Sequence, residues 1–231
     1  MRSDDIKYVI IQAGGKGIRM GRYAENKPKC LVPVKGIPMI MNTIEKYKDK
    51  EIIIIADYKA DVLEAYLTNF CKYNFTVCQT TEQGTAGGLT KVIDLIPDDE
   101  PFILTWADLF FEETPDFEFD KDLLVGLSDT FKCRWKLDNN KFVNEASTEV
   151  GVAGFFAFKN KERFNKLSIS KSLVRGFLSE NYKDSEIESF TLSNCFEVGE
   201  VDKYESILVN ELNHRFFNEV IIDGDKVTKR C

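Results

Sequence analysis

Histidine is almost missing from this chain: its 231 residues include one, His214. A Ser/His/Asp or Cys/His arrangement therefore has a single candidate base, and His214 falls near the end of a predicted helix, where an imidazole caps carbonyls. The six cysteines, Cys30, Cys71, Cys78, Cys133, Cys195 and Cys231, form no CxxC pair and no metal-like spacing. They read as reduced thiols used as small apolar residues, so neither a redox nor a zinc role is indicated. No apolar run approaches the length of a membrane span, and the run near the first residues is too short for a secretory signal. A cytoplasmic location is expected. Excess positive charge is lacking too: the net charge is -7 and the pI about 5.0, which argues against a nucleic acid or an anionic membrane as partner. Internal repeats, low-complexity tracts and linkers are absent from the sequence.

What is present is an apolar fraction of 43%, enough at this length for one sizeable core. Short apolar or β-branched runs, "KYVIIQA", "EIIIIA", "NFTVCQT" and "PFILTWAD", alternate with stretches of helical spacing, "PMIMNTIEKYK", "ADVLEAYLTNFCKY" and "GTAGGLTKVIDLI". That alternation predicts βαβ units: an α/β fold with a Rossmann-like, mixed, mostly parallel sheet flanked by helices. Pro38 is placed in a first helical turn, where no amide is wasted. In the second half, strands are expected at "LLVGLSD", "GVAGFFAF" and "ESFTLSNCFEV", with helices near "KERFNKL", "KSLVRGFLSENY" and "VDKYESILVNEL". The two strand-like runs around Asp223-Gly224 predict a C-terminal β-hairpin. Residues 1–213 are thus read as one domain, and 214–231 as a hairpin tail suited to lead into a longer chain.

The strongest local feature is "IIQAGGKGIRMGRYAENKPKCLVPV", residues 10 to 34. An apolar run stops at Gly14, Gly15 and Gly17, and cationic side chains follow. The stretch does not match GxxxxGK[ST] of a P-loop. It fails the dinucleotide fingerprint as well, because Gly21, Arg22, Asn26 and Pro28 occupy the place of the required helix. What remains is a loop whose bare backbone can approach an anion, with Lys16, Arg19 and Lys29 supplying charge. By themselves the glycines fit a tight surface turn equally well. Asp108 ends the otherwise uncharged run "PFILTWAD", so it is expected at the carboxyl end of a strand, where ligands bind in open α/β sheets.

The segment "AGGKGIRM…NKPKCLVPVKGIPMI" resembles the signature of nucleotidyltransferases that activate sugar-1-phosphates and related phosphorylated small molecules, GGxGxR followed by PK. Further likenesses follow in the family's order. Gln79 and "EQGTAGGL" resemble its base-binding segment, "LTWADLFF" its metal-aspartate strand, "GVAGFFAF" its acceptor-binding strand, and "FEVGEVDKYESI" its D-x-G-x-x-x-x-Y metal segment. In build the chain is most similar to small cytidylyltransferases such as those acting on phosphocholine or phosphoglutamine.

The resemblance implies an in-line attack by an acceptor phosphate on the α-phosphorus of a nucleoside triphosphate, expelling pyrophosphate. Such an acceptor is already largely dianionic at neutral pH and needs no general base, so catalysis rests on positioning and charge stabilisation. Carried onto this sequence, the family pattern implies that Ala13, Gly14, Gly15, Lys16 and Gly17 line the triphosphate. Arg19 would hold the departing pyrophosphate, and Lys29 would sit between the α-phosphate and the acceptor. Gln79, Gly84 and Thr85 correspond to base-reading positions and Gly154 to the acceptor strand. Asp108 and Glu197 would bind Mg²⁺, Glu197 standing where the family has aspartate. A Gln amide presents both a donor and an acceptor, so Gln79 suits cytosine or uracil. CTP is favoured, with UTP or dTTP as the alternative. The acceptor is read as a phosphorylated small molecule bound for a capsule or surface polysaccharide. A hexose-1-phosphate stays open, although the family's Glu-Lys-Pro triplet is replaced by "KCRWKLDNNKFVNEASTE". A catalytically inactive nucleotide-binding homologue is a further alternative. No oligomeric state is implied.

Overall fold

The structure is a computed structural model that describes residues 1–81, 84–166, 173–223 and 226–229. A seven-stranded sheet forms its centre. In chain order the strands are β1 (Tyr8–Gln12), β2 (Glu51–Ala56), β3 (Thr76–Gln79), β4 (Phe102–Trp106), β5 (Leu123–Ser128), β6 (Gly151–Phe158) and β7 (Ile187–Thr191). Across the sheet they lie β7-β5-β6-β4-β1-β2-β3. Only β6 runs antiparallel to its neighbours; the other pairings are parallel. The expected mixed, mostly parallel sheet is therefore present. Runs such as "IIII" in β2 and "FFAF" in β6 are apolar at consecutive positions because both faces of the sheet are covered, which removes the alternation of a half-exposed strand.

The longer helices are α1 (Met39–Lys46), α2 (Ala60–Phe70), α3 (Val174–Asn181) and α4 (Val201–Glu219). Two large apolar clusters fill the two sides of the sheet, and a third, smaller one contains Met20, Ala24, Val32, Val34, Met39, Phe110, Val198 and Tyr204. This last cluster knits together the segments that carry the site. The Tyr204 hydroxyl donates to Pro33 O at 2.8 Å, anchoring α4 beside it.

Several local expectations change in the folded chain. Pro38 is the residue before α1, with φ -53° and ψ 136°, rather than part of its first turn. The helix expected over "GTAGGLTKVIDLI" breaks into Gly84–Gly87, Leu89–Val92 and a 3-10 turn, Ile93–Leu95. "ESFTLSNCFEV" becomes two strands in different sheets, β7 and Cys195–Glu197, because Asn194 turns the chain with a left-handed φ of 52°. "KERFNKL" forms a 3-10 helix, Glu162–Lys166, with Leu167 outside the described residues. The hairpin pairs Val220–Asp223 with Lys226–Lys229 and starts later than residue 214, since α4 meets no glycine or proline before Glu219. Gly224 of its turn, Glu82 and Gln83 of the base-segment motif, and Lys171 and Ser172 of the α3 stretch lie outside the described residues. Among the described residues no helix is long and apolar enough to cross a membrane.

Candidate active site

The chain leaves β1, builds β2 and β3 on one side, and returns to β4 on the other, so the order reverses between β1 and β4. Open α/β sheets bind ligands at the carboxyl ends of strands at such a point. The glycine loop follows β1 there, and Asp108 follows β4. The two ends are tied by Ala107 N–H donating to Gln12 O at 3.0 Å.

Two glycines in the loop are demanded by its shape. Gly15 has φ 116°, a conformation that costs a side chain strain even though the space around it is open. At Gly17, with φ 61°, a Cβ would come within 3.0 Å of the Lys29 Cβ. The missing side chain therefore lets Lys29 lie directly against the loop. No α-helix follows; a 3-10 segment, Ile18–Tyr23, kinks at Gly21. The exposed Lys16 lines a cleft of about 460 Å³ with Gly17, Gly21, Arg22, Glu25 and Tyr58. A larger cleft, about 760 Å³ around Arg163 and Tyr182, contains none of the predicted site residues.

Lys29 Nζ donates to Asp108 Oδ2 at 2.5 Å, and both side chains are mostly shielded, 20% and 12% exposed. The short strands Leu109–Phe111 and Cys195–Glu197 pair antiparallel, with Leu109 opposite Glu197, and Val198 N–H donates to Asp108 O at 2.9 Å. This ribbon brings Asp108 and Glu197 together from distant parts of the sequence. Both carboxylates come within 3.5 Å of the one point where a Cβ on Gly199 would sit. Arg19 is paired with Glu200, Lys29 with Asp108, and Glu197 with Lys203.

The remaining predicted residues border the same edge. Gln79 ends β3 opposite Ala56 and is exposed. Thr85 O accepts from Gln12 Nε2 at 2.5 Å, joining the Gly84–Gly87 turn to β1. Gly84 has φ 80°. Ala13 is buried, its N–H donating to Ile55 O at 2.8 Å. Gly154 has φ 94° at a bulge in β6, and a Cβ there would press on the Trp106 ring at 3.2 Å. It therefore faces the residue two before Asp108. His214 lies within α4, and nothing is described of its side chain.

Gln12, Glu200 and Lys203 were not singled out from the sequence. Gln12 had a faint signal, as the polar end of an apolar strand. Glu200 and Lys203 had none beyond their place in the segment after Glu197, because their partners are set by the packing of α4. Burial pushes the Cys30 thiol up to about 12 and that of Cys133 up to about 11, and raises Cys195 as well. Those cysteines supply no thiolate at neutral pH.

Two carboxylates and half-shielded lysines beside an anion-ready loop suit polyphosphate chemistry. Among the described residues no group of three or more His, Cys, Asp or Glu converges. The oxygen pair instead fits an ion that takes one or two protein carboxylates and completes its shell with water and phosphate, as Mg²⁺ does.

Residues 9–116 match the family described as "MobA-like NTP transferase domain". The "Bifunctional protein GlmU" of Methanocaldococcus jannaschii is 32% identical over 108 residues, 45% of this chain and 25% of that protein. The glucose-1-phosphate cytidylyltransferase of Salmonella typhimurium is 28% identical over 153 residues, 53% of this chain and 60% of that enzyme. The chain thus spans less than two thirds of the length of these curated relatives. A solved structure of the CTP:phosphocholine cytidylyltransferase from Streptococcus pneumoniae superimposes with TM-score 0.73 at 19% identity, covering 90% of this chain and all of that one. This chain has the same nucleotidyltransferase fold.

Proposed function

We propose that this NTP transferase domain transfers a nucleotidyl group, cytidylyl by preference, from a nucleoside triphosphate to the phosphate of a small phosphorylated acceptor. The observation that carries the reading is the Lys29–Asp108 pair set against Gly17, with Glu197 converging from the neighbouring strand. A phosphate oxygen of the acceptor forms the new bond to the α-phosphorus as the α–β bridging bond breaks, and pyrophosphate carries away the electron pair. No residue needs to take a proton.

Backbone amides of Gly14 to Gly17 approach the triphosphate, and Arg19, turning from Glu200, clamps the leaving pyrophosphate with its forked donors. Lys29 neutralises the crowded oxygens between donor and acceptor. Asp108 and Glu197 would hold Mg²⁺, which when bound neutralises phosphate charge at that place. Gln79, Gly84 and Thr85 border the base, and Gly154 the acceptor. The cytidylyltransferase names among the relatives support CTP and a small phosphorylated acceptor, and the product suits surface-polysaccharide assembly. The same reading makes the enzyme cytoplasmic.

The direct test incubates the protein with Mg²⁺, each of CTP, UTP, dTTP, ATP and GTP, and a panel of phosphomonoesters including phosphocholine and hexose-1-phosphates, scored by pyrophosphate release. CTP is expected to support turnover and to raise the Tm, with the purine triphosphates doing neither. Turnover with UTP or dTTP alone moves the reading to a sugar-1-phosphate enzyme. A Tm rise with CTP and no release from any acceptor identifies an inactive binding homologue.

Arg19→Ala and Lys29→Ala are each expected to lower turnover roughly 10²-fold or more, the scale of losing one charge-stabilising group. Their stabilities should differ. Arg19 is 45% exposed, so its loss leaves the urea midpoint nearly unchanged. Lys29 is mostly shielded, and its removal strands the shielded Asp108 and costs on the order of 1–3 kcal/mol. Wild-type rates in both variants would mean that this loop does not hold the triphosphate.

A further inference from the structure

Lys29, Asp108, Glu197 and Lys203 form one line of alternating charge. Lys29 holds Asp108, Asp108 and Glu197 meet at Gly199, and the other oxygen of Glu197 is taken by Lys203. The four charges cancel. None is freely solvated, with Glu197 15% and Lys203 28% exposed. A divalent cation on the two carboxylates would take over the neutralising role of both ammonium groups. Two half-shielded lysines would then need an anion, and a phosphate dianion supplies the matching charge.

We propose, resting on the reaction assigned above, that Lys203 is a second phosphate-binding lysine, kept on Glu197 until a divalent cation occupies that carboxylate and then passed to the acceptor phosphate. Its position argues for acceptor rather than triphosphate. Lys29 abuts the glycine loop at Gly17, whereas Lys203 Nζ lies over the Phe131 ring, 5.8 Å from its centroid. Just beyond, Cys133 packs on Gly151, the first residue of β6, the strand that also carries Gly154. The register of α4 is fixed by the buried Tyr204 next in sequence, so Lys203 is aimed rather than free to sweep the surface.

Free Mn²⁺ measured by electron paramagnetic resonance, and Tm with inorganic phosphate at saturating Mn²⁺, test this in wild type, Lys203→Gln and Lys203→Arg. Lys203→Gln should bind Mn²⁺ about tenfold more tightly, because the ammonium no longer competes for Glu197. Its phosphate-dependent rise in Tm should also be smaller than that of wild type, and Lys203→Arg should restore it. An equal rise in wild type and Lys203→Gln, or an unchanged Mn²⁺ affinity, overturns the assignment and leaves the proposed reaction standing. Binding of Mn²⁺ to none of the three proteins overturns the metal reading beneath it as well.

Discussion

Asp108→Asn is expected to fold and to turn over on the order of 10³-fold more slowly than wild type, the upper range for removing one preorganised electrostatic group. The substitution keeps the shape of the side chain and removes its charge. Two consequences coincide at one atom. Lys29, 2.5 Å from Asp108 Oδ2, loses its counter-ion, and the oxygen pair formed with Glu197 loses half its charge. The Mg²⁺ dependence of nucleotide-induced Tm shifts should disappear together with pyrophosphate release. Glu197→Gln should come close to the same result, and Glu197→Asp should retain part of the rate, because the shorter arm reaches less far toward the point both carboxylates share. If Glu197→Gln keeps the wild-type rate and Mg²⁺ dependence, Asp108 alone anchors the ion and the paired-carboxylate mechanism is wrong.

Phe158→Ala should have the largest effect on stability, about 3–5 kcal/mol. Phe158 is fully buried at the end of β6, stacked on Phe102 at 4.8 Å and edge-on to Phe164 at 4.9 Å, with Tyr182 at 6.0 Å. It therefore joins β4 and β6 to the layer around α3, and none of those rings can collapse into the gap without leaving its own contacts. Against a typical stability of roughly 5–15 kcal/mol, such a loss lowers Tm by roughly 6–20 °C for a domain of this size. Urea unfolding at unchanged m measures it. The nucleotide affinity of the fraction still folded should be that of wild type, because Phe158 lies at the end of β6 away from Gly154. A midpoint within experimental error of wild type would mean that the aromatic layer is not closely packed.

Periodicity and composition were sufficient for the central sheet. The unbroken β-branched run of β2 and the apolar run of β4 can be satisfied only by burial on both faces, so they announce a covered, mostly parallel sheet before any coordinate is known. The glycine loop was legible for a related reason, since only glycine tolerates the φ of Gly15, and a cation-rich turn without a helix excludes the dinucleotide motif. Asp108 stood out as the first charge after an apolar strand. The divided strand at Asn194 did not, because a single left-handed residue leaves the hydrophobic pattern on either side intact.

Beyond the Asp108–Glu197 convergence implied by the family resemblance, tertiary structure alone decided which charges meet. Glu197 reaches Asp108 because two three-residue strands pair, and Arg19 and Lys203 find Glu200 and Glu197 because Tyr204 and the small cluster around Met20 seat α4 against the loop. A sequence states each residue's preference for water or core within a few neighbours. Ion pairing depends on distances between segments far apart in the chain, and those distances appear only when the apolar faces have packed.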